Sequence, residues 1–564
     1  MSLRSLLRLL GIYVGVLFVA SIVLAGVVAV DRVSEEPPRT ILSVWAQGKR
    51  RARLATRNKN GVDPDSVDLL RRETQAARGV RVAEDVLDSS PVLSLEPLVF
   101  GASFVPGRDG VEVAYGEKYA YATVDDLLAL KAYDYQVEVG PLRLQLGVDP
   151  DLVLTTLAKE LDVPQASLRS YGLFRRMALR HRVPPEVAPK VTPETLRDSA
   201  LSAGRYLARM VRSDGIYRYE VNAVDNSDGD GYNWPRHSGA TWYLAESAIY
   251  ARDPAMIDAV ERAARRLTDG ALLECGAHRC IAEGNRADLG SSALGLLALT
   301  EIAQGNLMPE LLPVIRELAA FLRSQQRADG EFMHFYDRQK SQPIDEQVLY
   351  YTGEASFALG RAARITHDPK DLEAASRALE HLVSLPSWYV AQHYYFGAEH
   401  WTCHALEELW ERAPNQKALD FCLEWQRFIS QTAIWNREAS PEYDGATSAG
   451  PFVPPALVGT ATRMEAAVAT LRVARLAGVS AAEVNELEAN IRTSLAFLMR
   501  FQLNPGPSNV MVNPGAARGG FPNTPTDLRV RIDYPQHAGT AIIGYLKLLE
   551  ARAGLAPATT TPEK

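Results

Sequence analysis

Cysteine is scarce, with four in 564 residues, and that excludes a small fold built on disulfides. Basic runs are missing as well. The formal net charge is −7 and no group of Lys and Arg is dense enough to follow a phosphate backbone, so nucleic acid is not an expected partner. The zinc-protease pattern HExxH does not occur. What is present is the composition of a large globular chain, 47% hydrophobic and 23% charged, long enough for two or three domains.

Leu9 to Val30 is uncharged and overwhelmingly apolar, with Arg4 and Arg8 before it and Asp31, Arg32, Glu35 and Glu36 after it. That length spans a bilayer. The basic flank predicts a cytoplasmic amino terminus and a single-pass protein whose bulk is periplasmic or extracellular. A cleaved signal peptide has a shorter apolar region, about 7 to 15 residues, so residues 1–36 are read as an uncleaved membrane anchor. Cys275 and Cys280, in ECGAHRC, are close enough for one loop-closing bridge in an oxidising compartment. A metal site with His278 is the weaker reading, because only three ligands are local.

Residues 37–91 are Arg-rich and polar and read as a tether with one helix, Val62 to Ala77. Residues 92–191 read as a small α+β module. Within it GRDGVEVAYGEKYAYATVDDLLAL predicts two strands joined at Gly116-Glu117 and a helix capped by Asp125, and Asp149 to Leu161 and Val163 to Leu179 are read as helices. Residues 556–564 are a tail.

From 192 to 555 the pattern is helical. Twelve segments fall into pairs: 194–212 with 238–251, 254–268 with 288–304, 308–326 with 346–365, 369–384 with 398–412, 415–431 with 460–477, and 481–502 with 534–551. Links after each second helix are short and bland, such as Arg252-Asp253-Pro254. Links after each first helix are long, and most are dense in aromatic, acidic and His residues. An echo supports the pairing: the helix end, Asp-Gly turn and aromatic run of Tyr206 to Tyr217 return in Phe321 to Phe332. Repeats of this size bury their apolar faces only by stacking on neighbours. Second helices richest in Gly, Ala and Ser suit the crowded inner layer of a ring, with all long loops at one end.

An α/α toroid of six such hairpins resembles the six-hairpin glycosidase superfamily, over Thr192 to the carboxyl end. The resemblance is architectural and matches no single glycosidase family. It implies a carbohydrate substrate and functional loops at one mouth. Gln326-x-x-Asp329-Gly330-x-Phe332 is also similar to a repeat of terpenoid cyclases, but their Asp-x-Asp-Asp proton donor is absent.

The mouth would gather groups from six loops. The first brings Asp225, Asp228, Asp230, Tyr232, Asn233, Arg236 and His237, and the second brings Asp288. Tyr336, Tyr350, Tyr351 and Glu354 come from the third, and His393, Tyr395, Glu399, His400 and His404 from the fourth. The fifth offers Arg463 and Glu465, and the last Asp533, Tyr534 and His537. Sugars stack on Tyr and Trp, and glycosidic cleavage needs two carboxyls across the bond. Glu354 and Glu465 lie inside apolar helices, where an unpaired carboxylate is costly. They are therefore either catalytic, with Glu399, His237 and Tyr350 as further catalytic candidates, or paired with Arg to tie helices together. The remaining mouth residues are substrate ligands.

His400 and His404 share a helix face and with Glu399 or His393 would bind a metal, but the third ligand is not fixed by the pattern. No metal or cofactor is predicted. Asn226 to Gly231 resembles the start of a calcium loop, yet His237 stands where an EF-hand needs Glu. RHSGAT at 236–241 and QHAGTA at 536–541 suggest equivalent positions in the first and last hairpins, made neighbours by ring closure. The expected activity is glycoside hydrolysis of an envelope or exported polysaccharide. A polysaccharide lyase or uronate epimerase, favoured if Arg236, Arg463 and Arg531 meet at the mouth, is the alternative. A non-catalytic glycan- or partner-binding protein is the alternative of another class.

Overall fold

The structure is a computed structural model that describes residues 39–56, 80–134, 136–139, 142–145, 147–183, 189–384, 400–435, 441–448, 455–504 and 508–554. The anchor at 9–30, the helix expected at 62–77, His393, Tyr395, Glu399 and the tail lie outside these residues. Among the described residues no helix is long and apolar enough to cross a membrane. The chain forms two compact units.

One unit holds the described residues up to 183 with 508–513. Its strands are β1 (Arg39–Ala46), β2 (Lys49–Thr56), β3 (Val80–Val92), β4 (Asp109–Tyr115), β5 (Lys118–Ala122), the hairpin β6 (Gln136–Val139) and β7 (Leu142–Gln145), and β8 (Leu173–Val183). An antiparallel sheet runs β2-β1-β3-β8-β4-β5. Its helices are α1 (Pro97–Ala102), α2 (Val124–Ala129), α3 (Pro150–Leu161) and α4 (Gln165–Tyr171).

Three expectations need correction here. The supposed tether supplies β1, β2 and β3, because its arginines are paired rather than solvated: Arg39 meets Glu112 at 2.8 Å, both buried, and Arg50 and Arg53 bind Asp126. The helix expected up to Leu179 stops at Tyr171. Gly172 ends it, and Leu173–Val183 pairs with β3 and β4, so two flanking strands override the helical preference of Leu, Arg, Met and Ala. Finally, α2 is capped by Thr123, whose hydroxyl and Asp126 bond each other's backbone N–H.

The second unit is the toroid. Its outer helices are α5 (Pro193–Met210), α7 (Pro254–Gly270), α9 (Leu312–Ser324), α11 (Pro369–Ser384), α13 (Gln416–Ser430) and α15 (Ala481–Phe501). The inner ones are α6 (Trp234–Ala251), α8 (Leu289–Gln304), α10 (Tyr351–Thr366), α12 (His400–Leu409), α14 (Leu457–Leu476) and α16 (Asp533–Arg552). Each inner helix packs on the next, and α16 returns to α6, which closes the ring. Outer helices carry one apolar stripe, whereas α8 is buried on almost every side, as a helix enclosed by others must be. Small residues permit that crowding. A methyl group added at Gly353 would stand 2.8 Å from Trp401 of α12, and one at Gly539 would enter the ring of Tyr243 in α6.

The sequence echo has a structural counterpart. Val211 bridges Tyr217, and Gln326 bridges Phe332. Between them Gly215 and Gly330 take φ of 80° and 92° and lie on the backbones of α7 and α11 at Arg262 and Arg377. Only glycine fits both the left-handed turn and the close approach.

The long loops pair with one another. β9 (Glu220–Asn222) of the first loop lies beside β15 (Arg529–Arg531) of the last. A sheet of β10 (Leu272–Cys275), β11 (His278–Glu283), β12 (Arg286–Asp288), β13 (Phe335–Asp337) and β14 (Gln342–Ile344) joins the second and third loops. Inner-helix N-termini therefore share one end. Both cysteine pairs are bonded: Cys275 with Cys280, and Cys403 of α12 with Cys422 of α13.

Candidate functional site

Three consecutive inner helices deliver one cluster. His537 Nδ1 is 2.8 Å from Glu465 Oε2, and His400 Nε2 is 3.7 Å from the same oxygen. Gln536 Nε2 lies 3.5 Å from Glu465 Oε1, and the Thr540 hydroxyl also reaches the carboxylate. The indole of Trp401 covers the cluster, its ring 4.4 Å from that of His400. Burial raises the Glu465 carboxyl, opposed by His537; for His537 burial acts downward, but the Glu465 carboxylate outweighs it and raises the imidazole.

Glu354, in the first turn of α10, is the second feature. It is 3% exposed, its Oε2 has no hydrogen-bond partner among the described residues, and it packs on Gly290 of α8. Burial, with the Asp288 carboxylate second, pushes its carboxyl well above the ordinary value. Asp288 caps α8 by accepting from Ser291 N and Oγ, each at 2.7 Å, and is hydrogen-bonded to Tyr351. The half-exposed ring of Tyr350 meets that of Tyr351 at 5.3 Å.

At the junction of first and last loops, Asp533 accepts from Arg236 Nε at 3.0 Å and from Arg531 Nε at 2.7 Å. Arg236 also donates to the Tyr219 hydroxyl at 2.9 Å, and Arg531 lies over the Tyr534 ring. Two of the three arginines expected to recognise a uronate thus share one carboxylate.

Several candidates lie elsewhere. His237 turns to the outer layer: its Nε2–H donates to Ala263 O of α7 at 3.0 Å, and Nδ1 accepts from the Tyr232 hydroxyl at 2.6 Å. Burial lowers it to about 4. His237 meets Ala263 of the outer layer, whereas His537 meets Glu465 of the inner ring. That undoes the expected equivalence, although Gly239 facing Gln536 confirms the neighbouring placement of the two helices. Asn233 caps α6. Asp225, Asp228 and Asp230 are exposed, with Asp228 held by Arg218 at 2.5 Å, and Tyr336 is buried against Phe321 of α9. Arg463 stands two residues from Glu465, about 200° around the helix, so the two do not pair. Its Nε is buried without a partner among the described residues, and burial lowers the group to about 10. His404 stacks on Phe357 with ring centroids 5.1 Å apart, and burial lowers it to about 3.

The sequence matches no family model and no curated protein. Solved structures resemble it in outline. D-mannose isomerase is 12% identical with a TM-score of 0.48, over 64% of this chain and 98% of that one. Cellobiose 2-epimerase from Spirochaeta thermophila is 14% identical with a TM-score of 0.46, over 65% and 100%. An alpha-1,6-mannanase from Salegentibacter sp. is 12% identical with a TM-score of 0.46, over 63% and 100%. Likeness of this degree assigns no activity.

Sequence reasoning missed the other end of the ring. A cavity of about 450 Å³ runs from Trp242, His404 and Glu465 towards the inner-helix C-termini. There Lys547 binds Glu246 at 2.7 Å, Arg361 binds Glu301 at 2.9 Å and Glu408 at 3.1 Å, and Arg472 binds Glu407. These are the helix-tying ion pairs considered above for Glu354 and Glu465. Their signal was a charge near the end of each apolar inner helix.

Proposed function

We propose that the protein is a carbohydrate-active enzyme that cleaves a glycosidic bond at the loop end of the toroid, with Glu354 as proton donor. The Glu354 carboxyl carries this reading. A structural carboxyl finds a cation, as Glu408 does at the opposite end; Glu354 has none among the described residues, and its burial raises the carboxyl well above the ordinary value, in the direction a proton donor needs. In the reaction Glu354 gives its proton to the departing glycosidic oxygen. A water adds to the anomeric carbon and its proton passes to the Glu465–His537 pair; the pair then releases that proton to solvent and Glu354 regains one from solvent. The exposed ring of Tyr350 offers a stacking surface for a sugar.

Attachment to a membrane through residues 9–30, with the bulk outside the cytoplasm, belongs to the same proposal. Two disulfides support an oxidising compartment.

One observation favours a second reading, epimerisation or elimination: two imidazoles converge on Glu465, and imidazole is the commonest general base. Arg236 and Arg531 share the single carboxylate of Asp533, so the trio keeps one net positive charge and leaves a uronate substrate open to test. The test is incubation of the full-length protein with neutral and acidic oligosaccharides in D2O. New reducing ends without an unsaturated product, lost in Glu354→Gln, support hydrolysis, whereas an unsaturated product at the cleaved end, or carbon-bound deuterium without chain cleavage, supports the second reading. Glycan binding with no turnover by the wild type leaves a binding protein and removes both.

A further inference from the structure

We propose that His400, Glu465 and His537 bind one divalent cation of the zinc class. Their donor atoms, one from each of α12, α14 and α16, lie within 4.8 Å of one another. Two imidazoles and a carboxylate are the ligand set of open zinc sites, which leave the fourth position to water or substrate.

The spacing agrees with the ligand type. Donors bonded tetrahedrally to zinc at about 2.0 Å stand about 3.3 Å apart. The separations from Glu465 Oε2 are 2.8 Å to His537 and 3.7 Å to His400, so each departs from that ideal by about half an ångström. A proton shared between Glu465 and His537 accounts for the shorter contact, but not for the convergence of a second imidazole on the same oxygen.

The surroundings are those of a ligand shell. Gln536 and Thr540 hold the Glu465 carboxylate, the outer support that orients a metal-binding carboxylate. Glu465 also lines the axial cavity, which provides a route for the ion and room for a fourth ligand. Among the described residues both cysteine pairs are closed, so no thiol competes for a soft cation. His404, the partner expected from the helical i, i+4 spacing, is not among the donors; His537 replaces it. The inference does not depend on sugar chemistry, but a bound ion would occupy the Glu465 and His537 atoms to which the proposed hydrolysis passes a proton, so the two assignments are alternatives at these residues.

The test uses full-length protein, stripped with a strong chelator, dialysed against zinc chloride and analysed for metal. Cobalt(II) loading is read in parallel by visible absorption. The expected result is one equivalent of zinc per chain and the d–d band of a tetrahedral cobalt centre. Affinity should fall at least about tenfold in Glu465→Gln and His537→Ala, and the ion should be kept by His404→Ala. Wild-type protein that retains no zinc overturns the proposal, as does undiminished zinc in both ligand variants. Circular dichroism checks folding; if a ligand variant does not fold, His400→Asn takes its place.

Discussion

The Glu354 carboxyl lies against the bare backbone of Gly290 on the neighbouring inner helix. A methyl group added at Gly290 would stand 2.6 Å from Glu354 Oε2 and 2.4 Å from the Tyr351 ring. Gly290→Ala should therefore displace both side chains. Overpacking of this kind costs about 1–3 kcal/mol, and the displaced acid should lower kcat by about two orders of magnitude. Steady-state kinetics beside a thermal melt separates the two effects.

Glu354→Gln should reduce turnover by about 10²–10⁴-fold without loss of fold. Stability provides a second readout. The carboxyl binds its proton more tightly in the folded state, so its contribution is complete below the ordinary value of 4.5 and falls away as pH rises through the raised one. Gln has no proton to lose. Melting temperatures against pH should decline less steeply above 4.5 in the variant, and identical slopes would refute the raised acid.

His237 has the opposite sign. Its value falls from 6.5 to about 4, so the fold favours the neutral ring, and stability complete above 6.5 is lost as pH falls through that window, by up to about 3 kcal/mol. His237→Phe should weaken this acid sensitivity. At pH 7 it should also cost about 1–3 kcal/mol, because Ala263 O and the Tyr232 hydroxyl lose their partner. Urea unfolding at pH 7 and pH 4.5 tests both statements.

The disulfide between Cys403 and Cys422 spans 19 residues and ties the helix that bears His400 to its outer partner. Replacing both cysteines by Ala should cost about 3 kcal/mol, against about 2 for the shorter loop of Cys275 and Cys280. Calorimetry of the two double variants compares them directly.

Glu408 is 6% exposed and bridges Arg361, Arg364 and Arg412. Glu408→Ala leaves these cations without their shared partner and should destabilise the toroid by about 3–5 kcal/mol. A loss below about 1 kcal/mol in denaturant titration would mean that water replaces the carboxylate.

Much of the toroid was legible because its signals are local. Helix periodicity, Asp-Gly turns and the alternation of short and long links do not depend on knowing the partner surface. The module before it was harder. In β2, KRRARLAT reads as solvated until Asp126 and Glu160 are placed opposite its arginines, and β8 is a strand only because β3 and β4 flank it.

The site divides in the same way. That Glu354 and Glu465 are buried carboxyls in need of a partner or a task follows from their apolar neighbours in the chain. Which of the two found a partner does not. Glu465 meets His537, 72 residues away, rather than Arg463 two positions off, because the helical turn sends those side chains to opposite flanks. His237 and His537, so similar in local sequence, meet different layers, Ala263 of an outer helix and Glu465 of an inner one. Composition and periodicity thus set which helices form and which faces they bury, since those are properties of neighbours along the chain. Ring closure alone decides which side chains meet, since distance across an axis is not written in any one segment.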